Sequence, residues 1–245
     1  MMVIQKTHRL TEFISLRPEE LAEVAAIAGE REHFPKHHVI LRQGDDPSCL
    51  FLLDEGWAAA CVVRRDGSQH VTKFHLKGDL VGAPSMALAK RAESFVALTP
   101  VSLRRIELSD FMRLFEARPR FAAAMFLSAQ RERVSLMDAL TNLGRSSALQ
   151  RLCWVLVDLY ERLAVAGLLE GDRFHLPITQ ERLADYLGMT AEHLNRMIRT
   201  LKQAELVEWD RNWVRVPDVA ALAETGLVTC RQNVAAPRWL EHYGA

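Results

Sequence analysis

The 245-residue sequence predicts an α+β protein with three parts: an antiparallel β-sandwich or barrel, a long helix, and a C-terminal winged helix-turn-helix. Three observations predict it. Between residues 34 and 108, short runs rich in Val, Ile, Leu and Phe are punctuated by Gly44, Gly56, Gly67, Gly78 and Gly82, mostly about a dozen residues apart. From residue 109 onward helical period returns, and Pro119 opens a long helix. Between Ile178 and Lys202, two short helical patterns meet at Gly188.

Taken in order, residues 17–30 have Pro near the start, early acids and a late Gly, which is a short amphipathic helix. Asp66-Gly67 is a hairpin signal inside the β region. Ser109 is read as the N-cap of a helix over residues 110–117. The helix opened by Pro119 runs to about Leu143. Along it Met125, Ala129, Leu136, Ala139 and Leu143 form one stripe, interrupted by Glu132. Steps of four and three over such a length predict a coiled-coil seam between two copies, although a helix packed on its own sheet uses a similar stripe. Ser147 caps a third helix, from Ala148 to about Ala166, with Leu149, Leu152, Val155, Leu156 and Leu159 inward. Residues 167–172 are a loop, and residues 173–178 a short extended piece. A two-stranded hairpin is expected around Asp210-Arg211-Asn212, from a Leu206-Val207 strand and a Trp213–Val216 strand. A small helix near Val219–Glu224 and a polar tail with Trp239 follow. The domain boundaries expected are 1–108, 109–143, 144–216 and 217–245.

Composition excludes several classes. Lys plus Arg is 31 and Asp plus Glu is 31, so the net charge is zero, which argues against a generic polybasic binder but leaves room for one small basic surface. With 49% hydrophobic and 25% charged residues the chain is not disordered as a whole. No apolar run approaches the roughly 18–20 residues of a membrane span, and the start lacks the pattern of a secretory signal. The cysteines, at 49, 61, 153 and 230, make no metal-type pair. Reduced thiols in a cytoplasm are therefore expected, with no metal set and no cofactor.

The segment that carries function is Ile178–Lys202. Thr179 is an N-cap, and Leu183, Ala184 and Leu187 face inward. Gly188 ends the first helix, and Thr190 caps the second, whose inward stripe is Leu194, Ile198 and Leu201. The outer face then offers Glu192, His193, Asn195, Arg196, Arg199 and Lys202. In this motif the N-terminal end of the second helix enters the major groove. A guanidinium can hold guanine O6 and N7 in a fork, and a carboxylate accepts from the cytosine amino group. Glu192, Asn195 and Arg196 are therefore the candidate base readers. Thr179, Gln180, Thr190, His193 and Arg199 are the candidate phosphate contacts. The alternative is that Glu192 and Arg196, four apart, form only a surface ion pair.

With those residues in hand, the chain resembles the Crp/Fnr family of bacterial transcription regulators over about residues 10–225. The matching blocks are residues 38–45 (HVILRQGD), 51–56 (FLLDEG), 77–82 (KGDLVG) and 148–159 (ALQRLCWVLVDL), together with Glu192-His193-Leu194-Asn195-Arg196. The last matches the E-x-x-S-R form of Fnr-like members, with Asn195 in place of Ser. The resemblance implies a double-stranded β-roll of the cyclic-nucleotide-binding jelly-roll type, a dimerisation helix, and a homodimer on an inverted repeat. It also implies TGA-like half-sites read by Glu192 and Arg196, with RNA polymerase as a partner if the protein activates.

The family's sensing chemistries are not equally served. Cyclic-nucleotide binders carry Gly-Glu-Leu and then Arg-Ser, but this chain has Gly82-Ala83-Pro84, and Ala92 and Glu93 at the ungapped Arg-Ser positions. Gly82 and Arg91 are what remains of an effector pocket, so dependence on cyclic AMP is not expected. No Cys precedes Cys49, so the Fnr-type iron–sulfur cluster is not expected either. His37, His38, His70 and His75 are the candidate ligands of a haem-sensing alternative. Cys153 reads as a buried, inert thiol. A rival of another class is a cupin-like metal enzyme, but His70 and His75 face opposite sides of a regular strand and no acid completes the set.

Overall fold

The computed structural model describes residues 17–229, which form two compact units, residues 17–133 and 134–229. The N-terminal unit opens with α1 (Pro18–Ile27), with Pro at its start and Glu19 and Glu20 in its first turn. Eight strands follow: β1 (Arg31–Phe34), β2 (Val39–Leu41), β3 (Cys49–Glu55), β4 (Ala58–Val63), β5 (Gln69–His75), β6 (Leu80–Val81), β7 (Ser94–Ala97) and β8 (Val101–Glu107). They make two antiparallel four-stranded sheets, ordered β1-β8-β3-β6 and β2-β7-β4-β5. The spacing of the glycines predicted an antiparallel sandwich or barrel, and its form here is the β-roll that the family resemblance implies.

The apolar run of β3 has a physical reason. Phe51 and Leu53 point between the sheets, into a core with Ala58, Ala60, Val81, Phe95 and Leu103. Leu50 and Leu52 point the other way, into a second core with Val24, Ile106, Phe111, Leu114, Phe121 and Ala124. A strand buried on both faces cannot alternate apolar with polar. Gly56, at φ +90°, turns β3 into β4, and a Cβ there would stand 2.4 Å from the Pro100 carbonyl oxygen. Gly67, at φ +83°, closes the β4–β5 turn, where Asp66 accepts bonds from the Ser68 amide and hydroxyl.

The second core is covered by α1, α2 (Leu108–Ala117) and the start of α3 (Pro119–Arg145). Ser109 does not cap α2. The Leu108 amide is held by the Ser48 carbonyl, so β8 passes into the helix without a linker and Ser109 is already inside it; Glu107 takes the cap position.

The C-terminal unit contains α4 (Ala148–Val165), β9 (Arg173–His175), α5 (Gln180–Tyr186), α6 (Ala191–Gln203), β10 (Glu208–Asp210), β11 (Trp213–Arg215) and α7 (Val219–Thr225). Ser147 and Gln150 form the capping box that starts α4. Leu152, Val155, Leu156 and Leu159 of α4 are buried, with Phe174, Leu183, Leu194, Ile198 and Val214; Leu149 is half-buried. The strands form a sheet ordered β10-β11-β9. The first hairpin strand begins two residues later than the sequence suggests. Glu205 turns to φ +57° and the Leu206 amide closes back on the Leu201 carbonyl, so Leu206 belongs to the end of α6. Cys230 and Trp239 lie outside the described residues.

Candidate nucleic-acid interface

The helix-turn-helix is built by two side-chain caps and one left-handed turn. The Thr179 hydroxyl accepts from the Arg182 amide (3.4 Å) and starts α5. Gly188, at φ +63°, turns the chain, and the Thr190 hydroxyl accepts from the His193 amide (3.2 Å) to start α6. Leu183, Ala184 and Leu187 of the first helix are buried, as are Leu194, Ile198 and Leu201 of the second. That burial fixes which face of α6 is left outward.

The outward face holds what the sequence placed there. Glu192, Arg196, Arg199 and Lys202 are exposed, and His193 and Asn195 are half-buried. Thr179, Gln180 and Thr190 are exposed at the starts of the two helices. Glu192 and Arg196 do not pair with each other, and neither side chain has an ion-pair partner among the described residues. The surface-pair alternative therefore does not describe this helix. Both threonine hydroxyls are engaged as acceptors by the caps, which leaves each O–H free to donate.

Sequence reasoning passed over Arg211. It sits exposed at the β10–β11 turn with φ +49°, beside Asn212. Lys202 Nζ donates to the Trp209 carbonyl (3.2 Å), and Trp209 Nε1 donates to the Arg211 carbonyl (3.2 Å), so this wing is tied to the end of α6. The only signal was a three-residue turn between strands, which says nothing about orientation.

The long helix α3 differs from its predicted stripe. Leu136 and Leu143 are exposed, at 60% and 42%, and Ala129 is exposed. Met125 is instead half-buried against the N-terminal core, Ala139 is half-buried, and Glu132 pairs with Lys73 of β5 at 2.5 Å. Phe126, Met137 and Leu140 are exposed and were missed. The spacing Phe126, Ala129, Arg133, Leu136, Leu140, Leu143 alternates steps of three and four, a signal that was present in the sequence but broken by Arg133.

In the β-roll, Gly82 and Arg91 do come together. Gly82 has φ +89°, and a Cβ on it would stand 3.0 Å from Arg91 Nη1. Arg91 is buried; its Nη2 donates to the Cys49 carbonyl (3.0 Å), while Nη1 is buried without a hydrogen-bond partner. His37 and His38 are exposed, His70 is half-buried and His75 is buried. The expectation that His70 and His75 face opposite sides assumed a regular strand. A register shift pairs Ala60 with Lys73 and Cys61 with Val71, so Thr72 bulges out and parity is lost. An acid also stands beside His75, with Asp79 Oδ2 3.3 Å from Nδ1. No group of three or more His, Cys, Asp or Glu residues able to hold a metal occurs among the described residues.

Burial holds the His75 pKa down, to about 4 from 6.5, with Lys73 adding repulsion and Asp79 opposing. His75 thus favours folding in its neutral form. That contribution is complete above pH 6.5 and is lost as pH falls toward 4, where the unfolded chain binds a proton the native state resists. Urea midpoints measured from pH 7 to pH 4 should decline less in His75→Gln than in the parent; parallel curves would remove His75 from this role. Cys153 is fully buried and its thiol is pushed up to about 11, also by burial, which suits an inert thiol. The three described cysteines, Cys49, Cys61 and Cys153, are buried.

Comparison with known proteins agrees with this geometry. Residues 31–118 match the cyclic nucleotide-binding domain family, and residues 150–225 match the Crp-like helix-turn-helix domain family. The chain is 24% identical over 209 residues to the transcriptional activator protein FnrA of Stutzerimonas stutzeri, covering 85% of each chain. It is 23% identical over 221 residues to the fumarate and nitrate reduction regulatory protein of Escherichia coli, covering 90% of this chain and 87% of that one. Among solved structures, FixK2 from Bradyrhizobium japonicum superposes with a TM-score of 0.71 at 18% identity, over 80% of this chain and 96% of the other. No described helix is long and apolar enough to cross a membrane. A β-roll matching the cyclic nucleotide-binding domain family, followed by a Crp-like helix-turn-helix, places this chain in the Crp/Fnr family of transcription regulators, to which it belongs.

Proposed function

We propose that the protein binds DNA as a homodimer, reading an inverted repeat with TGA-like half-sites through Glu192, Asn195 and Arg196. The observation that carries this reading is the unpaired, exposed Glu192 and Arg196 on the one face of α6 that its own core leaves free. Thr179, Gln180, Thr190, His193 and Arg199 flank them as phosphate contacts, and Arg211 adds one from the wing. RNA polymerase is a partner where the operator is placed for activation. The dimer forms along α3 through Phe126, Ala129, Leu136, Leu140 and Leu143, the apolar stripe left exposed on that helix.

The protein acts without cyclic AMP. Ala83 supplies no carboxylate for a ribose hydroxyl, and Pro84 supplies no N–H. Glu93 is half-buried where a phosphate would need a cation, and Arg91 is turned onto the Cys49 carbonyl. These residues do not fit a cyclic nucleotide. A second reading, a small anionic effector, is favoured by the buried, unpartnered Arg91 Nη1 beside Gly82. Selection of bound sequences from random duplex DNA, with and without cell extract, tests both. An inverted repeat recovered without extract supports effector-free binding, one that needs extract supports a soluble effector, and random output rejects sequence-specific recognition.

Salt provides a further check. Each phosphate neutralised steepens the log affinity against log salt by about 0.9, so Arg199 in two protomers alone gives a slope near −1.8. Fluorescence anisotropy across a salt series should show at least that slope. A flat response would contradict the proposed phosphate contacts.

A further inference from the structure

We propose that Lys73 is the positioning residue that sets which face of α3 is turned outward to meet the second copy; this rests on the dimer proposed above. The helix carries two apolar faces. One holds Phe121 and Ala124, which are buried, with Met125 partly buried beside them, and it continues to Glu132 at steps of four and three. The other holds Phe126, Ala129, Leu136, Leu140 and Leu143. At 3.6 residues per turn the two are about a quarter turn apart. Phe121, edge-on against Phe111 and Phe115, and the Arg120–Glu20 ion pair hold the first turns, but beyond Ala124 no side chain of α3 is fully buried, and apolar contact, which is not directional, places the later turns only loosely. Something directional must choose between the two faces.

The Lys73–Glu132 pair is that element. Lys73 stands on β5 and Glu132 on α3, with their charged atoms 2.5 Å apart and side chains 21% and 31% exposed. The bulge at Thr72 aims this part of β5. Thr72, which has no Cα partner, donates to the Ala60 carbonyl and to Glu93 Oε2. Bulges re-aim side chains in this way. Lys73 therefore faces Glu132 of α3 and Glu93 next to β7, with His75 on its own strand and Asp79 in the following turn. Burial disfavours the charge on Glu93, and Glu132 adds repulsion, while the Thr72 hydroxyl and Lys73 oppose both. An ammonium on β5 paired with a carboxylate on α3 favours one rotation of the helix. Half-burial makes the pair stronger than an exposed one, because solvent screens it less.

The test uses the full chain and reads the dimer directly. Dissociation constants are measured by sedimentation for Lys73→Glu, Glu132→Lys and the double exchange, without DNA. Each single reversal is expected to weaken the dimer at least tenfold, and the double exchange to return within threefold of the parent. Lys73→Arg should keep the parent value, which a merely space-filling lysine would not require. Circular dichroism verifies folding; if a reversal unfolds the chain, Lys73→Met and Glu132→Gln take its place, with at least a threefold weakening expected of each. Parent-like constants in the folded single variants, or a double exchange as weak as the product of the two singles, would overturn the proposal. A parent chain that is monomeric at all concentrations would instead overturn the dimer itself, and the proposal with it.

Discussion

We expect Arg196→Ala to abolish the preference for the proposed operator while leaving the fold and the proposed dimer intact. Arg196 is exposed and touches nothing in its own unit that α6 needs; only its backbone carbonyl is used, accepting from Thr200. Its removal therefore leaves Leu194, Ile198 and Leu201 packed as before. A good bidentate base contact is worth about 1–3 kcal/mol, and a dimer makes two, so the loss is about 2–6 kcal/mol. By contrast, Arg199→Ala, at a proposed phosphate contact, should weaken binding to all sequences alike, because a phosphate carries no base information. Comparing operator and scrambled duplex by anisotropy separates the two cases. Equal affinity of Arg196→Ala and parent for the operator would remove this residue, and the recognition geometry with it.

Leu140→Glu gives the second large effect. Leu140 is 74% exposed and Leu136 is 60% exposed, so neither contributes much to the fold of a single chain. Across a two-fold axis each would meet its own copy. Burying one leucine contributes about 1.5–3 kcal/mol, and the substitution removes two and sets two carboxylates facing each other. Dimer affinity should fall by at least two orders of magnitude, with the far-ultraviolet spectrum unchanged. Leu136→Glu should behave similarly, while Ala139→Glu, from the half-buried side, should not act through the seam alone. An undisturbed dimer in both leucine variants would show that α3 is not the interface.

Local chemistry made much of this legible. The glycines of the β-roll, the Ser147 capping box and the Thr179 and Thr190 caps act within a few residues of themselves, so the sequence states them directly. The face of α6 is legible for the same reason: Leu194, Ile198 and Leu201 repeat at helical period, and the remaining residues must point away from them.

The sequence by itself thus determined the order of elements, the helix-turn-helix and its outward side chains. Tertiary structure alone decided three matters that depend on residues far apart in the chain. Ser109 lost its cap because Ser48 holds Leu108. Glu132, which interrupts the predicted stripe, finds its ion-pair partner in Lys73 on β5. His70 and His75 lost their alternation because Thr72 bulges against β4. Periodicity reports that a helix or strand has an inward face, but which of two similar apolar faces is inward is set by the partner packed against it, and that partner is named only by the fold.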